Sequence, residues 1–464
     1  MKKIITLICL FIAVTAFSQT NQLHLVKGKI TANVHVPGVD SLSYAIYLPS
    51  SFEPSHKYAL IFSFDPDGKG EAAVKPFISA AEKYKYLVIG LDGFHKKSDS
   101  INVENADLLF RHVLSSYPID EQSIYTAGLS EGAELASAIA VMSKKVSGII
   151  NCGGSIPAFT RWDVDEEPIF VAVIGDEDCN YSYVYPFMKS LDELGYANLQ
   201  INYHGSRKWP DRNIAEKAVR FLEINRVKNN VIPLQKEELN YLYVADSIYN
   251  DDLIKNGDYV WAKADVDAMI KGYRSLVDLK PLRKKRSEIS KDKRYDEQAK
   301  LMETIRFKES QRIQNYTDFY YQDVDEGDLE RLAFWNQELE KLNEEISSSV
   351  SPKQKMAVRL KKYIEMLADS DQLNFDKKTD VNQLLFINIL LTIINHHNTK
   401  AYLHVLDYAS SKGDFEMAYY YLEELLENGY KNADEINSYK GIEMLRIMPQ
   451  YRDILKQYGL KTPY

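Results

Sequence analysis

Two different hydrophobic patterns divide the chain. From Gly28 to about Arg226, short β-branched apolar runs alternate with helix-length amphipathic stretches. This pattern is typical of a mostly parallel sheet covered by helices on both faces. Eight runs are predicted to be strands, over residues 28–36, 43–48, 58–64, 86–91, 123–127, 146–152, 169–175 and 199–204. The first two are close enough in sequence to form an antiparallel hairpin, whereas helix-length segments separate the later ones.

Beyond Pro233 the pattern changes to long amphipathic stretches rich in Leu, Glu, Lys and Tyr, which predict an all-helical region. Helices are predicted over residues 235–249, 262–278, 292–315, 327–347, 352–369, 380–395, 400–411 and 415–428. The last two, separated by Gly413 and Asp414, have small and apolar residues at the positions of a tetratricopeptide helical pair. One pair cannot bury its own face, so neighbouring helices should complete the stack and residues 441–455 should cap it.

The first eighteen residues have the pattern of a secretory signal. Lys2 and Lys3 precede an apolar stretch, which ends in small residues at a possible cleavage point. We therefore expect a signal peptide over residues 1–18, a sheet-and-helix domain over 19–230 and a helical domain over 231–464. A secreted or periplasmic location follows from this expectation. No later stretch has the roughly 20 apolar residues that a membrane span needs.

Composition narrows the possible partners. A net charge of −9 disfavours nucleic acid as a partner. The one basic cluster, from Lys280 to Arg286, precedes a segment with interleaved acids and is expected to be a solvated helix face. Without the signal, Cys152 and Cys179 are the remaining cysteines, and both two buried free thiols and a disulfide at the sheet rim fit the sequence. No cofactor is predicted.

Ser130 is the candidate nucleophile. It lies in Gly128-Leu129-Ser130-Glu131-Gly132, between an apolar strand and a helix rich in small residues, which is the context of a nucleophile elbow. The two glycines allow a turn sharp enough for the serine hydroxyl to project from it. The sequence therefore predicts an exposed, reactive serine at the end of the fifth strand.

An oxyanion hole needs two backbone N–H donors, one after the nucleophile and one from the loop after the third strand. Glu131 is expected to supply the first. Pro66 has no N–H, so Asp65 or Asp67 is expected to supply the second. An alternative is that the carboxylates of these three residues bind a hard cation such as calcium. Their spacing matches no known metal-binding loop, so no metal site is predicted.

The acid that would orient a catalytic base is expected after the next-to-last strand. Asp178 occupies that place, and Asp176 is an alternative. A third possibility is that Asp176, Glu177 and Asp178 are all ordinary solvent-facing acids of the loop.

Together these segments resemble exported α/β-hydrolases related to polyhydroxybutyrate depolymerases and feruloyl esterases, over roughly the first 200 residues after the signal. The matching segments are residues 64–68, the Ser130 turn, and residues 175–181 and 205–210. The resemblance implies an α/β-hydrolase-type, mostly parallel eight-stranded sheet and a small ester or acyl substrate. It also implies that Trp209 walls the substrate pocket, although a loop anchor is an equally good interpretation.

The chain departs from this resemblance at one position. Such relatives place the catalytic histidine where this chain has Arg207. A guanidinium has no acceptor nitrogen, so Arg207 cannot take the serine proton and is instead expected to pair with Asp178. His204, three residues earlier, is either a displaced base or an ordinary strand-end histidine. His95 is a more distant candidate base, for which a plain loop role is the alternative.

Two functions follow from this pattern. In the first, the chain is a secreted serine esterase or acyl hydrolase, in which Ser130 attacks, His204 acts as base, Asp178 orients it and the Glu131 N–H binds the oxyanion. In the second, the hydrolase domain has lost catalysis and binds, while the helical tail presents a surface to a protein partner.

Overall fold

The computed structural model describes residues 25–94, 99–155, 168–348, 351–372 and 374–462. The predicted signal peptide, residues 1–18, and His95 lie outside these ranges.

An eight-stranded sheet occupies the first half of the chain. Its strands are β1 (Ile30–Val36), β2 (Val39–Tyr47), β3 (Tyr58–Phe64), β4 (Tyr86–Leu91), β5 (Ile119–Leu129), β6 (Gly148–Cys152), β7 (Ile169–Gly175) and β8 (Asn198–Tyr203). Their order in the sheet is β1-β2-β4-β3-β5-β6-β7-β8. Strand β2 pairs antiparallel with β1 and β4, and all other neighbours are parallel. This is the α/β-hydrolase fold, so the predicted fold class is confirmed.

Helices cover both faces of the sheet, which explains the continuous apolar runs of its central strands. The helices of this part are α1 (Gly70–Val74), α2 (Ile78–Tyr84), α3 (Asp99–Ser116), α4 (Glu131–Ser143), α5 (Tyr181–Leu194) and α6 (Arg212–Lys228). Successive side chains of β3 enter different cores: Leu60 and Phe62 pack on one face, and Ile61 packs on the other. Both cores are therefore built around the strand whose carboxyl end leads to the predicted oxyanion loop.

The predicted all-helical region is also confirmed. Its helices are α7 (Lys236–Asn256), α8 (Tyr259–Gly272), α9 (Lys280–Lys291), α10 (Lys293–Glu326), α11 (Leu332–Ile346), α12 (Ser351–Asp371), α13 (Val381–Ile394), α14 (Thr399–Lys412), α15 (Phe415–Glu427), α16 (Ala433–Ser438), α17 (Glu443–Ile447) and α18 (Pro449–Gln457). Short 3-10 turns lie at Lys75–Phe77, Leu329–Arg331 and Lys440–Ile442. None of the helices in the described ranges is long and apolar enough to cross a bilayer.

Several helices differ from the predicted bounds. Helix α7 ends at Asn256 instead of residue 249, and α8 ends at Gly272 instead of residue 278. The basic cluster forms a helix of its own, α9, which buries Leu282 and Ile289 and exposes most of its basic side chains. Helix α10 continues to Glu326 instead of ending near residue 315, because buried Tyr316 and Tyr320 extend its apolar stripe at four-residue spacing. Gly327, at φ 60°, ends it in a left-handed cap.

The helical pair α14–α15 has the packing that the sequence predicts. Tyr402, Leu406 and Leu422 are buried in the common core of this region, and Gly413 caps α14 at φ 83°. Helix α14 packs against α13 on one side and α15 on the other, and α18 packs against α15. The tetratricopeptide assignment itself stays a prediction.

The two parts of the chain are joined by buried contacts across the predicted boundary at residue 230. Ile224 of α6 shares a core with apolar residues of α7 and α8. Lys217 of α6 is buried between Asp246 of α7, 3.2 Å away, and Asp265 of α8, 2.7 Å away. A buried charge between two carboxylates restricts the packing of the three helices, because breaking the ion pairs leaves an uncompensated charge.

Gly132 allows α4 to begin directly beneath the end of β3. A Cβ at this position would lie 2.1 Å from the carbonyl oxygen of Phe64. We expect Gly132→Ala to lower the free energy of unfolding by about 1–3 kcal/mol, as overpacking does, in urea denaturation. In the control Gly272→Ala, on α8, the nearest atom to the new Cβ is 3.6 Å away. The control should keep or slightly raise stability, and a Gly132→Ala protein as stable as the control would contradict this packing.

Candidate functional site

Ser130 stands on the sharp turn between β5 and α4. Its backbone has φ 53° and ψ −125°, a conformation that few residues other than glycine adopt and that costs of order 1–3 kcal/mol. Ser130 N–H donates to the Cys152 carbonyl (3.1 Å), and the Ser130 carbonyl accepts from Ala133 N–H (2.9 Å). Close approach of Gly128 and Gly132 makes the turn possible, because a Cβ on Gly128 would lie 2.1 Å from the Gly132 oxygen. The predicted elbow geometry is therefore present.

Arg207 occupies the space between Ser130 and Asp178. Its guanidinium forms two hydrogen bonds to the Asp178 carboxylate, from Nε to Oδ2 (3.0 Å) and from Nη2 to Oδ1 (2.8 Å). The third nitrogen, Nη1, donates to Ser130 Oγ (3.0 Å). The Asp178 side chain is fully buried, and 26% of the Arg207 side chain is exposed. The predicted Arg207–Asp178 pair is thus formed, and the same guanidinium also holds the serine.

This arrangement gives Ser130 a donor where catalysis would need an acceptor. Burial acts to lower the pKa of Arg207, but the hydrogen bonds and charge of Asp178 outweigh it and raise the pKa above its ordinary value. The guanidinium therefore stays protonated. Cys179 Sγ lies 3.0 Å from Nη2, and burial raises the pKa of this thiol to about 11, so it also stays protonated at neutral pH.

His204 lies in a different network. Its Nδ1 is 2.7 Å from Asp176 Oδ2, and its Nε2 is 3.2 Å from Asp258 Oδ1 at the start of α8. Hydrogen bonds to Asp176 and Asp258 raise the pKa of His204 to about 9, so the ring is a cation at neutral pH. The ring also packs at 4.7 Å against Trp261. No contact in the described ranges joins His204 to Ser130, and both of its ring nitrogens are engaged by carboxylates.

The acid loop therefore divides its carboxylates between two networks. Asp178 belongs with Arg207 and Ser130, whereas Asp176 belongs with His204 and with Lys355 of α12, which form hydrogen bonds to the same Oδ2. Burial acts to raise the pKa of Asp176, but hydrogen bonds from His204 and Lys355 dominate and lower it. Both carboxylates are therefore paired with cationic side chains.

The expected oxyanion donors are only partly available. The Glu131 N–H begins α4 and has no acceptor in the part of the chain that the structure describes. The Asp67 N–H instead donates within its own loop to Asp65 Oδ1 (3.0 Å). Trp209 Nε1 donates to Asp65 Oδ2 (2.8 Å), and the Trp209 ring packs edge-on against Phe77. Trp209 thus anchors the loop after β3.

The two cysteines are free and buried, so they form no disulfide. No group of three or more His, Cys, Asp or Glu side chains suited to a metal ion is found among the described residues. The Asp65 carboxylate accepts from the Asp67 N–H and from Trp209 Nε1, and the Asp67 carboxylate accepts from Lys69 Nζ (3.3 Å).

Contacts from α12 are the part of the site that the sequence does not reveal. Arg359 Nη1 donates to the Asp176 carbonyl (2.6 Å), and Lys362 Nζ donates to the Glu177 carbonyl (3.2 Å) and to Ser206 Oγ (2.8 Å). These residues lie more than 150 positions from their partners, and no local pattern links them. The helical region therefore supports both loops that carry the Arg207–Asp178 pair.

Comparison with known proteins gives structural neighbours only. No protein-family model matches the chain, and no curated protein matches it. A thermostable esterase is 17% identical at a TM-score of 0.33, over 38% of this chain and 55% of that one, so the chain spans about half the length of that esterase. An S-formylglutathione hydrolase from Staphylococcus aureus is 14% identical at a TM-score of 0.34, over 42% of this chain and 97% of that one. An esterase from Pyrobaculum calidifontis is 13% identical at a TM-score of 0.35, over 45% of this chain and 87% of that one.

These similarities are too low to transfer an activity, and the assignment of the fold does not depend on them. It rests on the strand order of the sheet and on the turn at Ser130. By sheet order and elbow geometry, the first half of this chain has the α/β-hydrolase fold.

Proposed function

We propose that this chain is a binding protein built on a catalytically lapsed α/β-hydrolase domain. The observation that carries the proposal is the position of Arg207, whose guanidinium bridges the Asp178 carboxylate and the Ser130 hydroxyl. In a serine hydrolase, that position needs a group that accepts the serine proton and later returns it. A protonated guanidinium offers only donors and cannot do either.

The surroundings of Ser130 support the same conclusion. The Cys179 thiol is protonated, and His204 is held by two carboxylates, so neither is a ready base. A serine without a base is a poor nucleophile, and only weak acceleration from oxyanion contacts would remain. Binding through the domain and through the helical tail, which we propose presents a surface to a protein partner, needs no such base.

Export is part of the proposal. The basic and apolar segment of residues 1–18 supports a secreted or periplasmic location. A mature amino terminus near Gln19, found by sequencing the protein from the extracytoplasmic fraction, would be consistent with it.

A serine esterase acting on a small ester or acyl substrate is the second candidate. It is favoured by the strained backbone of Ser130 and by the Glu131 N–H, both of which an esterase would use. His204 would first have to leave Asp176 and Asp258 to act as the base. The two candidates therefore differ in whether the unmodified protein reacts through Ser130.

We expect purified mature protein to be unreactive, because Ser130 lacks a proton acceptor. Labelling with a fluorophosphonate probe should be no stronger than in Ser130→Ala. Hydrolysis of p-nitrophenyl acetate should be equal in the wild-type, Ser130→Ala and His204→Ala proteins. Labelling of the wild type that disappears in Ser130→Ala would establish the esterase instead, and loss of turnover in His204→Ala would then identify its base.

Replacing the guanidinium by an imidazole should restore part of the missing chemistry. We expect Arg207→His to become labelled by the fluorophosphonate probe. It should also hydrolyse p-nitrophenyl acetate at least about tenfold faster than the wild type, since a positioned base raises the reaction rate roughly 10²–10⁴-fold. The gain should disappear in the Ser130→Ala, Arg207→His double variant.

Lys208→His is the matched control, because it adds an imidazole one residue away on an exposed side chain. It should stay inactive. A folded Arg207→His protein as inert as this control would show that Arg207 is not what prevents catalysis.

A further inference from the structure

A cavity of about 380 Å³ lies between the hydrolase domain and the helical region. Its lining comes from the acid loop after β7, the end of β8, the start of α8 and one face each of α10 and α12. Ser130, Asp178 and Arg207 are not among the lining residues. The volume falls in the range of small-molecule sites, roughly 300–1,000 Å³.

One wall of the cavity is apolar and rigid. Trp261 of α8 faces the cavity together with Leu301, Met302 and Ile305, which lie on one side of α10. The indole is fixed, because its Nε1 donates to the Tyr181 hydroxyl (3.1 Å) and its ring packs on His204. A wall that is already ordered loses little conformational entropy when a flat apolar ligand binds to it.

The acidic groups of the lining are already compensated. Asp176 accepts hydrogen bonds from His204 and Lys355, and Asp258 contacts the other nitrogen of the same protonated imidazole. Arg359 is likewise satisfied, because it forms a buried bidentate pair with Glu309 at 2.7 and 2.5 Å. A cationic ligand would therefore find no free carboxylate in this cavity.

Arg306 is different from the other charged residues of the lining. None of the ion pairs among the described residues involves Arg306, whereas Arg359, the other arginine of the lining, pairs with Glu309. Its guanidinium lies over the Tyr185 ring, with Cζ 3.9 Å from the ring centroid. Stacking engages the flat face of a guanidinium and leaves the N–H donors at its edge available for a planar anion.

We propose that this cavity binds a small organic anion that carries one carboxylate on a flat apolar body. The apolar body would pack against Trp261 and Ile305, and the carboxylate would pair with Arg306. A neutral ligand would leave Arg306 unpaired, which weakens binding relative to the anion. The inference goes beyond the proposed function and does not depend on whether Ser130 reacts.

The test uses the whole protein and naphthalene-2-carboxylate as the probe, and binding is measured by isothermal titration calorimetry. We expect saturable binding with a Kd below about 1 mM. The neutral naphthalene-2-carboxamide should bind at least about tenfold more weakly, as expected for a lost charge-assisted hydrogen bond. The cationic 2-naphthylmethylammonium should not bind detectably.

Two variants locate the site. Arg306→Gln should weaken binding of the carboxylate at least about tenfold and leave that of the carboxamide unchanged. Leu301→Trp should weaken both compounds by filling the cavity, and Leu301 is 39% exposed, so this change is compatible with folding. The matched control is Arg283→Gln, which removes an exposed arginine on α9 outside the lining and should change nothing.

Four results would overturn the assignment. The first is the absence of saturable binding by the carboxylate. The second is equal binding of the carboxylate and the carboxamide. The third is unchanged binding of the carboxylate in an Arg306→Gln variant whose melting temperature matches the wild type. The fourth is loss of binding in Ser130→Ala, which would place the probe at the elbow instead.

Discussion

The ion pair between Arg207 and Asp178 is the interaction on which the site depends. It joins the loop after β7 to the loop after β8, and through Ser130 Oγ it also reaches the turn at the end of β5. Asp178 is fully buried, so its charge requires a hydrogen-bonded partner in the folded protein. The same bonds that satisfy this carboxylate keep the guanidinium charged and aimed at the serine. The elbow can therefore keep the geometry of a hydrolase while lacking its proton acceptor.

The helical region is physically continuous with this site. Helix α12 holds the acid loop through Lys355, Arg359 and Lys362, and α8 contributes Asp258 and Trp261 around His204. These contacts keep His204 in its own network. They also place Asp176 with His204, whereas Asp178 pairs with Arg207. The helical region thus contacts both Asp176 and His204, through Lys355 of α12 and Asp258 at the start of α8.

Much of this architecture could be predicted from local patterns. The short runs of β-branched residues predicted the eight-stranded sheet, and the long amphipathic stretches predicted the helices. Both predictions succeed because the faces of a strand or helix that are buried determine which positions in the sequence are apolar. The Ser130 turn could be predicted because glycine spacing is a local feature. The Arg207–Asp178 pair could be predicted because the resemblance places Arg207 at the position of the catalytic histidine, and a guanidinium there pairs with the acid. The Asp258 partner of His204 and the Lys355 partner of Asp176 could not be predicted, since both are distant in sequence and only tertiary packing brings them to the acid loop. The hydrogen bond that the Asp67 N–H donates within its own loop could not be predicted either, because it depends on a loop conformation that has no periodic sequence pattern.

A double-mutant cycle on Asp178 and Arg207 measures how strongly the two side chains are coupled. The free energies of unfolding of Asp178→Asn, Arg207→Gln and the double variant would be measured by urea denaturation against the wild type. A buried bidentate pair predicts a coupling energy of about 1–3 kcal/mol, because each single change leaves the other partner unsatisfied. Effects of the two changes that add within about 0.5 kcal/mol would contradict the account, since they would mean that Arg207 does not hold Asp178 and is free to leave Ser130.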